Sequence, residues 1–260
     1  MHPFSPDASL DAQVLPSPNH GERRGIAQPD MLILHYTGMQ DARAALQRLC
    51  APGSEVSAHY LVFEDGGIVQ CVSESRRAWH AGIASWAGTT DINSHSIGIE
   101  IANPGHDGGY PDFPKLQISA VIALCRDILA RYPIPPRRVL AHSDVAPMRK
   151  RDPGEKFPWD TLHAAGIGHW VQPVAEAKGE VLDFGSRGPL VAALRANLKA
   201  YGYALEPGDD YDAATASIVQ AFQRHFLQIR VDGAADAATR ATLARLGGNL
   251  RSVGGCVTNW

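Results

Sequence analysis

Apolar residues fall in short blocks through the first two thirds of the chain and at helical spacing through the last third. Met31-Leu32-Ile33-Leu34-His35-Tyr36 is an apolar run that stops at Thr37-Gly38, the pattern of a buried strand ending in a loop. Ala58 to Phe63 and Ile68 to Val72 are β-rich and flank Glu64-Asp65-Gly66-Gly67, which predicts a hairpin. Ser96 to Ala102 alternates as a strand and runs into the turn-rich Asn103 to Gly109. Val139-Leu140-Ala141 predicts one more short strand. Helices are expected at Gln40 to Leu49, Pro114 to Arg131 and Trp159 to Ala165. In the second of these, Leu116, Ala120, Leu124 and Ile128 form one stripe, with Ile122 and Leu129 beside it. Residues 1–28 are rich in Pro, Ser, Asp and Asn and read as an extended lead-in. Strands and helices mixed in this way imply an α/β domain over residues 29–170, a mixed central sheet flanked by helices.

A linker is expected at 171–179, after which the pattern changes. Leu190, Leu194 and Leu198 mark one helix, Ile218, Phe222 and Phe226 a second, and Ala237 to Leu246 a third. Gly185, Gly188, Gly202, Gly208 and Gly233 punctuate them. Residues 180–248 therefore predict a small all-α three-helix domain, with 249–260 as a tail.

Composition removes several function classes. The net charge of -3 and pI near 6.4 give no reason to expect a partner among nucleic acids or membrane surfaces. No apolar run approaches the length of a membrane span, so no transmembrane segment is expected. The N-terminus lacks a basic stretch followed by an apolar one and so does not read as a signal peptide. That leaves either the cytoplasm or an export signal missing from this sequence. Cys50, Cys71, Cys125 and Cys256 are scattered with no Cys-x-x-Cys pair, and read as buried or idle thiols. Of 11 histidines only His225 lies beyond residue 170, which confines the expected chemistry to the first domain.

The chemistry gathers around His142 to Gly154. His142 and Asp152 lie ten positions apart, Lys150 sits two before the aspartate, and the residues between are turn formers and basic groups. Such a loop can bring a nitrogen ligand, an oxygen ligand and a cation to one point. His35, ending a buried strand at a loop, is the candidate third ligand. Two imidazoles and a carboxylate leave a tetrahedral zinc one open position for water or substrate. Glu100, between isoleucines on its strand, is either a salt-bridged edge residue or a general base near the metal. Lys150 is either part of a solvated basic loop or an oxyanion stabiliser. If that segment is extended, Arg149 and Arg151 face away from Lys150 and Asp152. His59, His80 and His95 read more readily as structural, although Trp79-His80 could line a cleft for a sugar or peptide.

Taken together, Leu34-His35-Tyr36-Thr37, Ser57-Ala58-His59-Tyr60 with Asp65-Gly66, Ala78-Trp79-His80-Ala81-Gly82, Ser96-Ile97-Gly98-Ile99-Glu100 and the His142 to Trp159 loop resemble the type-2 family of zinc-dependent N-acetylmuramoyl-L-alanine amidases. The resemblance implies His35, His142 and Asp152 as zinc ligands, Glu100 as catalytic acid/base and Lys150 as transition-state stabiliser. His59, Trp79, His80 and Asn93 are then expected to contact substrate. Phage members of the family carry a tyrosine where Ala58 stands and a cysteine where Asp152 stands, so both positions point to the bacterial recycling and turnover branch. The C-terminal segment is similar to a peptidoglycan-binding domain, through Gly185-Ser186-Arg187-Gly188, Tyr201-Gly202-Tyr203, Ala221-Phe222-Gln223 and Val231-Asp232-Gly233. Asn197 stands where a glutamine is more usual in that domain. The implied function is hydrolysis of the amide between N-acetylmuramic or anhydromuramic acid and L-alanine in peptidoglycan or muropeptides, by a monomer. The alternative is a non-catalytic peptidoglycan-recognition protein, but such proteins typically lose a zinc ligand and here all three are present. A serine hydrolase is disfavoured because no Gly-x-Ser-x-Gly turn occurs.

Overall fold

The computed structural model describes residues 4–253. Its centre is a six-stranded sheet in the order β1-β5-β4-β7-β3-β8. These strands are β1 (Ala12–Val14), β3 (Met31–Tyr36), β4 (Tyr60–Val62), β5 (Ile68–Gln70), β7 (Ser96–Ile101) and β8 (Val139–Ala141). The hairpin partners β4 and β5 are antiparallel, and every other neighbouring pair is parallel. A separate antiparallel ribbon joins β2 (His20–Glu22) to β6 (Arg76–Ala78).

Two expectations change here. The extended lead-in gains strand partners that its sequence does not reveal, because β1 extends the sheet edge beside β5 and β2 pairs with β6. Each of these strands is three residues long, too short for alternation to reveal, and each gains its backbone partners from a distant segment. The stripe expected on the long helix is also rotated. In α3 (Lys115–Arg131), which follows the short helix α2 (Ile92–His95) in the chain, the buried positions are Gln117, Ile118, Val121, Leu124, Cys125 and Ile128, while Leu116 is 68% exposed. Gln117 takes the inward place because its Nε2 donates to the carbonyl oxygens of Val62 and Ala102, tying the helix to β4 and to the residue that follows β7.

The sheet's two faces are covered differently. Leu32, Leu34, Tyr60, Ile97 and Ile99 pack against α3. On the opposite face Leu61 packs against Ala45 and Leu49 of α1 (Ala42–Cys50). Met31 and Ile33, which share that face with His35 by strand alternation, are covered by the C-terminal helices. Those helices are α6 (Pro189–Tyr201), α7 (Ala213–Phe226) and α8 (Ala237–Val253). Leu194, Phe222 and Phe226 join Met31, Ile33 and Leu140 in one continuous core. Residues 171–179 carry no regular element. The expected tail begins inside α8, and residues 254–260 of it, with Cys256, lie outside the described residues.

The docking is specific as well as apolar. Trp86 is buried against Tyr201 and Tyr203, with ring centroids 5.7 and 4.9 Å away. A side chain on Gly202 would place its Cβ 2.5 Å from the Trp86 ring, so glycine permits this approach. The Ala87 N–H donates to the Gly202 carbonyl at 2.7 Å. Asp144, on the short helix α4 (His142–Val145), accepts from the Tyr203 hydroxyl at 2.8 Å, His225 Nδ1 at 2.7 Å and the Ala141 N–H at 2.9 Å. His225 also stacks on Trp159 of α5 (Trp159–Ala164) at 3.8 Å between centroids. No helix among the described residues is long and apolar enough to cross a membrane.

Candidate active site

Parallel pairing of β7, β3 and β8 brings the carboxyl ends of three strands together at one end of the sheet. His35 is directly opposite Glu100 across β3 and β7, and Leu34 is opposite Ala141, the residue before His142. Side chains at the carboxyl ends of parallel strands open into a common crevice. Here the crevice is a cleft of about 420 Å³ lined by His35, Glu100, His142, Lys150, Asp152 and Trp79, among others.

Three ligand atoms meet at its floor. His35 Nδ1 and His142 Nδ1 are 2.9 Å apart, and Asp152 Oδ2 is 3.1 Å from the first and 2.9 Å from the second. All three residues are buried. The loop carrying the last two is closed by the Ser143 N–H, which donates to the Asp152 carbonyl at 3.0 Å. Tyr110 braces its far side, donating to the Pro153 carbonyl at 2.7 Å and accepting from the Lys156 N–H at 2.9 Å. Gly154, at φ 85°, lets Tyr110 approach this closely.

This set fits a divalent ion. His142 Nε2 lies 3.0 Å from the Ala81 carbonyl, and because a carbonyl only accepts, that nitrogen carries the hydrogen and Nδ1 keeps its lone pair. The ligand atoms are near the separation of about 3.3 Å expected for tetrahedral bonds of roughly 2.0–2.1 Å. Burial lowers the pKa of His35 to about 4, and neighbouring His142 adds to this, so its imidazole is neutral and able to ligate. Burial works to raise the pKa of Asp152, but His142 and His35 outweigh it and the group stays ionised, far below the ordinary carboxylate range.

Glu100 is held the opposite way. Burial, and then the charge of Asp152, push its pKa well upward, with Lys150 opposing. Its Oε2 is buried and has no hydrogen-bond partner among the described residues. No salt-bridge partner is found for it among them, so the edge-residue reading of the sequence has no support. An isolated carboxyl facing a ligand cluster has the environment of a proton carrier.

Other expectations are redistributed. Trp79 and His80 line the cleft. His59 and Asn93, expected to contact substrate, instead lie buried behind its wall with protein partners. His59 Nδ1 accepts from the Gly98 N–H at 3.0 Å, and Asn93 Oδ1 accepts from the N–H groups of His80 and Ala81 at 3.1 and 2.8 Å. His95 pairs with Asp30 at 3.1 Å, outside the ligand cluster. Residues 149–152 are not extended. The N–H groups of Arg149 and Lys150 both donate to the Ala146 carbonyl, so Arg149 wraps toward the cleft and donates to the carbonyls of Ala81 and Ile83. The sequence reading missed Ser96, Gly98 and Asp144. Only Gly98 carried a signal, since a glycine inside an apolar strand marks a close approach.

Comparison with known proteins places this geometry. The family model described as N-acetylmuramoyl-L-alanine amidase matches residues 26–155, and a peptidoglycan binding domain model matches residues 187–243. N-acetylmuramoyl-L-alanine amidase AmiD of Escherichia coli (strain K12) is 40% identical, covering 81% of this chain and 79% of its own. 1,6-anhydro-N-acetylmuramyl-L-alanine amidase AmpD of Enterobacter cloacae is 33% identical over 60% of this chain and 90% of its own. The structure of E. coli AmiD with the substrate anhydro-N-acetylmuramic acid-L-Ala-D-gamma-Glu-L-Lys superposes with a TM-score of 0.73 at 36% identity, covering 89% of this chain and 98% of that one. AmpDh3 from Pseudomonas aeruginosa superposes at 0.72 with 33% identity, over 95% of this chain and 99% of that one.

Proposed function

The chain belongs to the N-acetylmuramoyl-L-alanine amidase family, and from that premise we propose that it is a zinc hydrolase cutting the amide between the lactyl carbonyl of N-acetylmuramic or anhydromuramic acid and L-alanine. The carrying observation is the Glu100 carboxyl, whose buried Oε2 has no hydrogen-bond partner among the described residues, in one cleft with three convergent ligand atoms. Two imidazole nitrogens and a carboxylate oxygen suit zinc among the available divalent ions. Bound there, zinc supplies Lewis acidity that activates the carbonyl and acidifies water.

The chain's own groups then act on the proton and the charge. Glu100 takes the proton from the attacking water, and burial gives its carboxyl the affinity to hold it. It returns that proton to the leaving alanine amine. The Lys150 ammonium, on the cleft wall, offsets the negative charge that develops on the carbonyl oxygen. Trp79 offers the ligand a flat apolar surface. Solved relatives hold an anhydromuramic peptide, which supports soluble muropeptides as substrates in cell-wall turnover and recycling. The peptidoglycan-binding module supports contact with the intact wall as well.

Glu100→Gln should bind zinc stoichiometrically yet release no peptide from an anhydromuramyl-peptide, and a chelator should silence the unaltered chain until zinc is restored. Near-full turnover by Glu100→Gln would remove the carboxyl from the mechanism.

A further inference from the structure

The ligand His35 has a second nitrogen, and what that nitrogen touches determines which tautomer the ring adopts. His35 Nε2 lies 3.1 Å from His80 Nδ1, and His80 Nε2 lies 3.2 Å from Ser96 Oγ. Ser96 Oγ in turn lies 2.6 Å from the Ile92 carbonyl. The direction of this chain of hydrogen bonds can be assigned from its far end. A carbonyl only accepts, so the Ser96 hydroxyl hydrogen points at Ile92. Ser96 Oγ therefore meets His80 as an acceptor, and His80 carries its hydrogen on Nε2. His80 Nδ1 is then the acceptor for His35 Nε2–H, and His35 Nδ1 is left with a bare lone pair. The reverse direction would set the bare His80 Nε2 against an oxygen whose hydrogen is already committed.

We infer that His80 and Ser96 are positioning residues that hold His35 in the metal-binding tautomer, and that Asn93 holds the segment bearing them in register. The inference rests on the reading that His35, His142 and Asp152 hold a metal. His142 is oriented by the neighbouring residue, through its Nε2–H to the Ala81 carbonyl. Residues 80 and 81 thus provide the outer partner of both imidazole ligands. One oxygen, Asn93 Oδ1, accepts from both of their N–H groups. The ring of His80 reaches this place only because residue 98 lacks a side chain. A Cβ on Gly98 would stand 2.5–2.6 Å from three His80 ring atoms. Both relays end with bare Nδ1 atoms 2.9 Å apart beside a carboxylate oxygen, an arrangement that repels unless a cation sits among them. Outer partners of metal-binding histidines raise ligand basicity and fix ring orientation.

Substitution at residue 80 separates this role from simple packing. In His80→Asn the amide oxygen occupies roughly the place of Nδ1 and can still accept from His35. In His80→Phe nothing can. Zinc affinity of the full chain, measured by competition with a chromophoric chelator, should fall by about 10–100-fold in His80→Phe. It should fall less in His80→Asn. Ser96→Ala should weaken binding in the same direction. In the metal-free unaltered chain, nitrogen NMR of the rings should show His35 protonated on Nε2 and bare on Nδ1. Equal zinc affinity of folded His80→Phe and the unaltered chain would overturn the inference. So would a His35 ring protonated on Nδ1 in the metal-free state, a measurement that holds even where a variant fails to fold. If the unaltered chain binds no zinc, the metal reading fails and the positioning role with it. If it binds zinc and the variants do not differ, the positioning role alone fails.

Discussion

Tyr203→Phe tests whether the C-terminal module is built into the enzyme or only tethered to it. The substitution removes one oxygen and leaves the ring packed against Trp86. Tyr203 and Asp144 are each 1% exposed, so water cannot replace the lost hydroxyl without rearrangement. Among the described residues that hydroxyl is the only donor to Asp144 Oδ1, whereas Oδ2 keeps His225 and the Ala141 N–H. A hydrogen bond to a charged group contributes about 1.5–3 kcal/mol, and an orphaned buried acceptor also bears its desolvation penalty. The expected loss is therefore about 2 kcal/mol. For a chain of this size it corresponds to a fall in Tm of about 4–8 °C. Guanidinium unfolding of the zinc-saturated chain, followed by tryptophan fluorescence, should show a lower midpoint at an unchanged slope. A change below about 0.5 kcal/mol would mean that Asp144 is solvated. The docked arrangement, with helices α6 and α7 seated on the sheet beside the ligand loop, would then be refuted.

Two further outcomes follow from buried groups around the site. Burial first, then the charge of Arg23, lower the His59 pKa to about 3, and its Nδ1 already accepts the Gly98 N–H, so a proton there would face a donor. The unfolded chain takes up that proton below about pH 6.5 while the folded one does not. Stability is therefore complete above that pH and falls by up to about 1.4 kcal/mol per unit as pH drops toward 3. Urea unfolding of the metal-free chain at several pH values should show this slope, reduced in His59→Asn, and identical slopes would contradict the assignment. Gly154→Ala combines a left-handed backbone with a Cβ that collides with the Tyr110 hydroxyl. It should cost about 2 kcal/mol or more and weaken zinc binding, because Tyr110 braces the loop that carries Asp152. Unaltered unfolding and zinc affinity would show that the loop does not depend on this brace.

Much of the chemistry lies in local pattern. His142 and Asp152 share one loop, and the His35 strand ends where a sheet opens, so residue type and spacing suffice to nominate all three. The helices of the C-terminal module are legible because Leu194, Leu198, Phe222 and Phe226 recur at helical intervals. Local pattern also misleads where two faces of a helix are comparably apolar. On α3 it favours Leu116, whereas partners for the Gln117 amide on the sheet turn the helix the other way.

Non-local pairing decided the rest. Strands β1 and β2 exist only through partners more than fifty residues away, and nothing in Ala12–Val14 or His20–Glu22 announces them. Strand register set Glu100 opposite His35 and left its Oε2 without a donor among the described residues, an environment that sequence spacing alone does not reveal. His80 and Asn93 read as candidate substrate contacts; folding set His80 on the cleft wall against His35 and turned Asn93 onto the backbone of residues 80 and 81. The module at the C-terminus read as a separate unit, and the fold made it the cover of Met31 and Ile33 and the donor to Asp144. Residue identity and short-range spacing specify which groups can bind a metal or pack a helix. Which lone pair is left bare, and which carboxyl is left alone, depends on contacts between segments far apart in the chain.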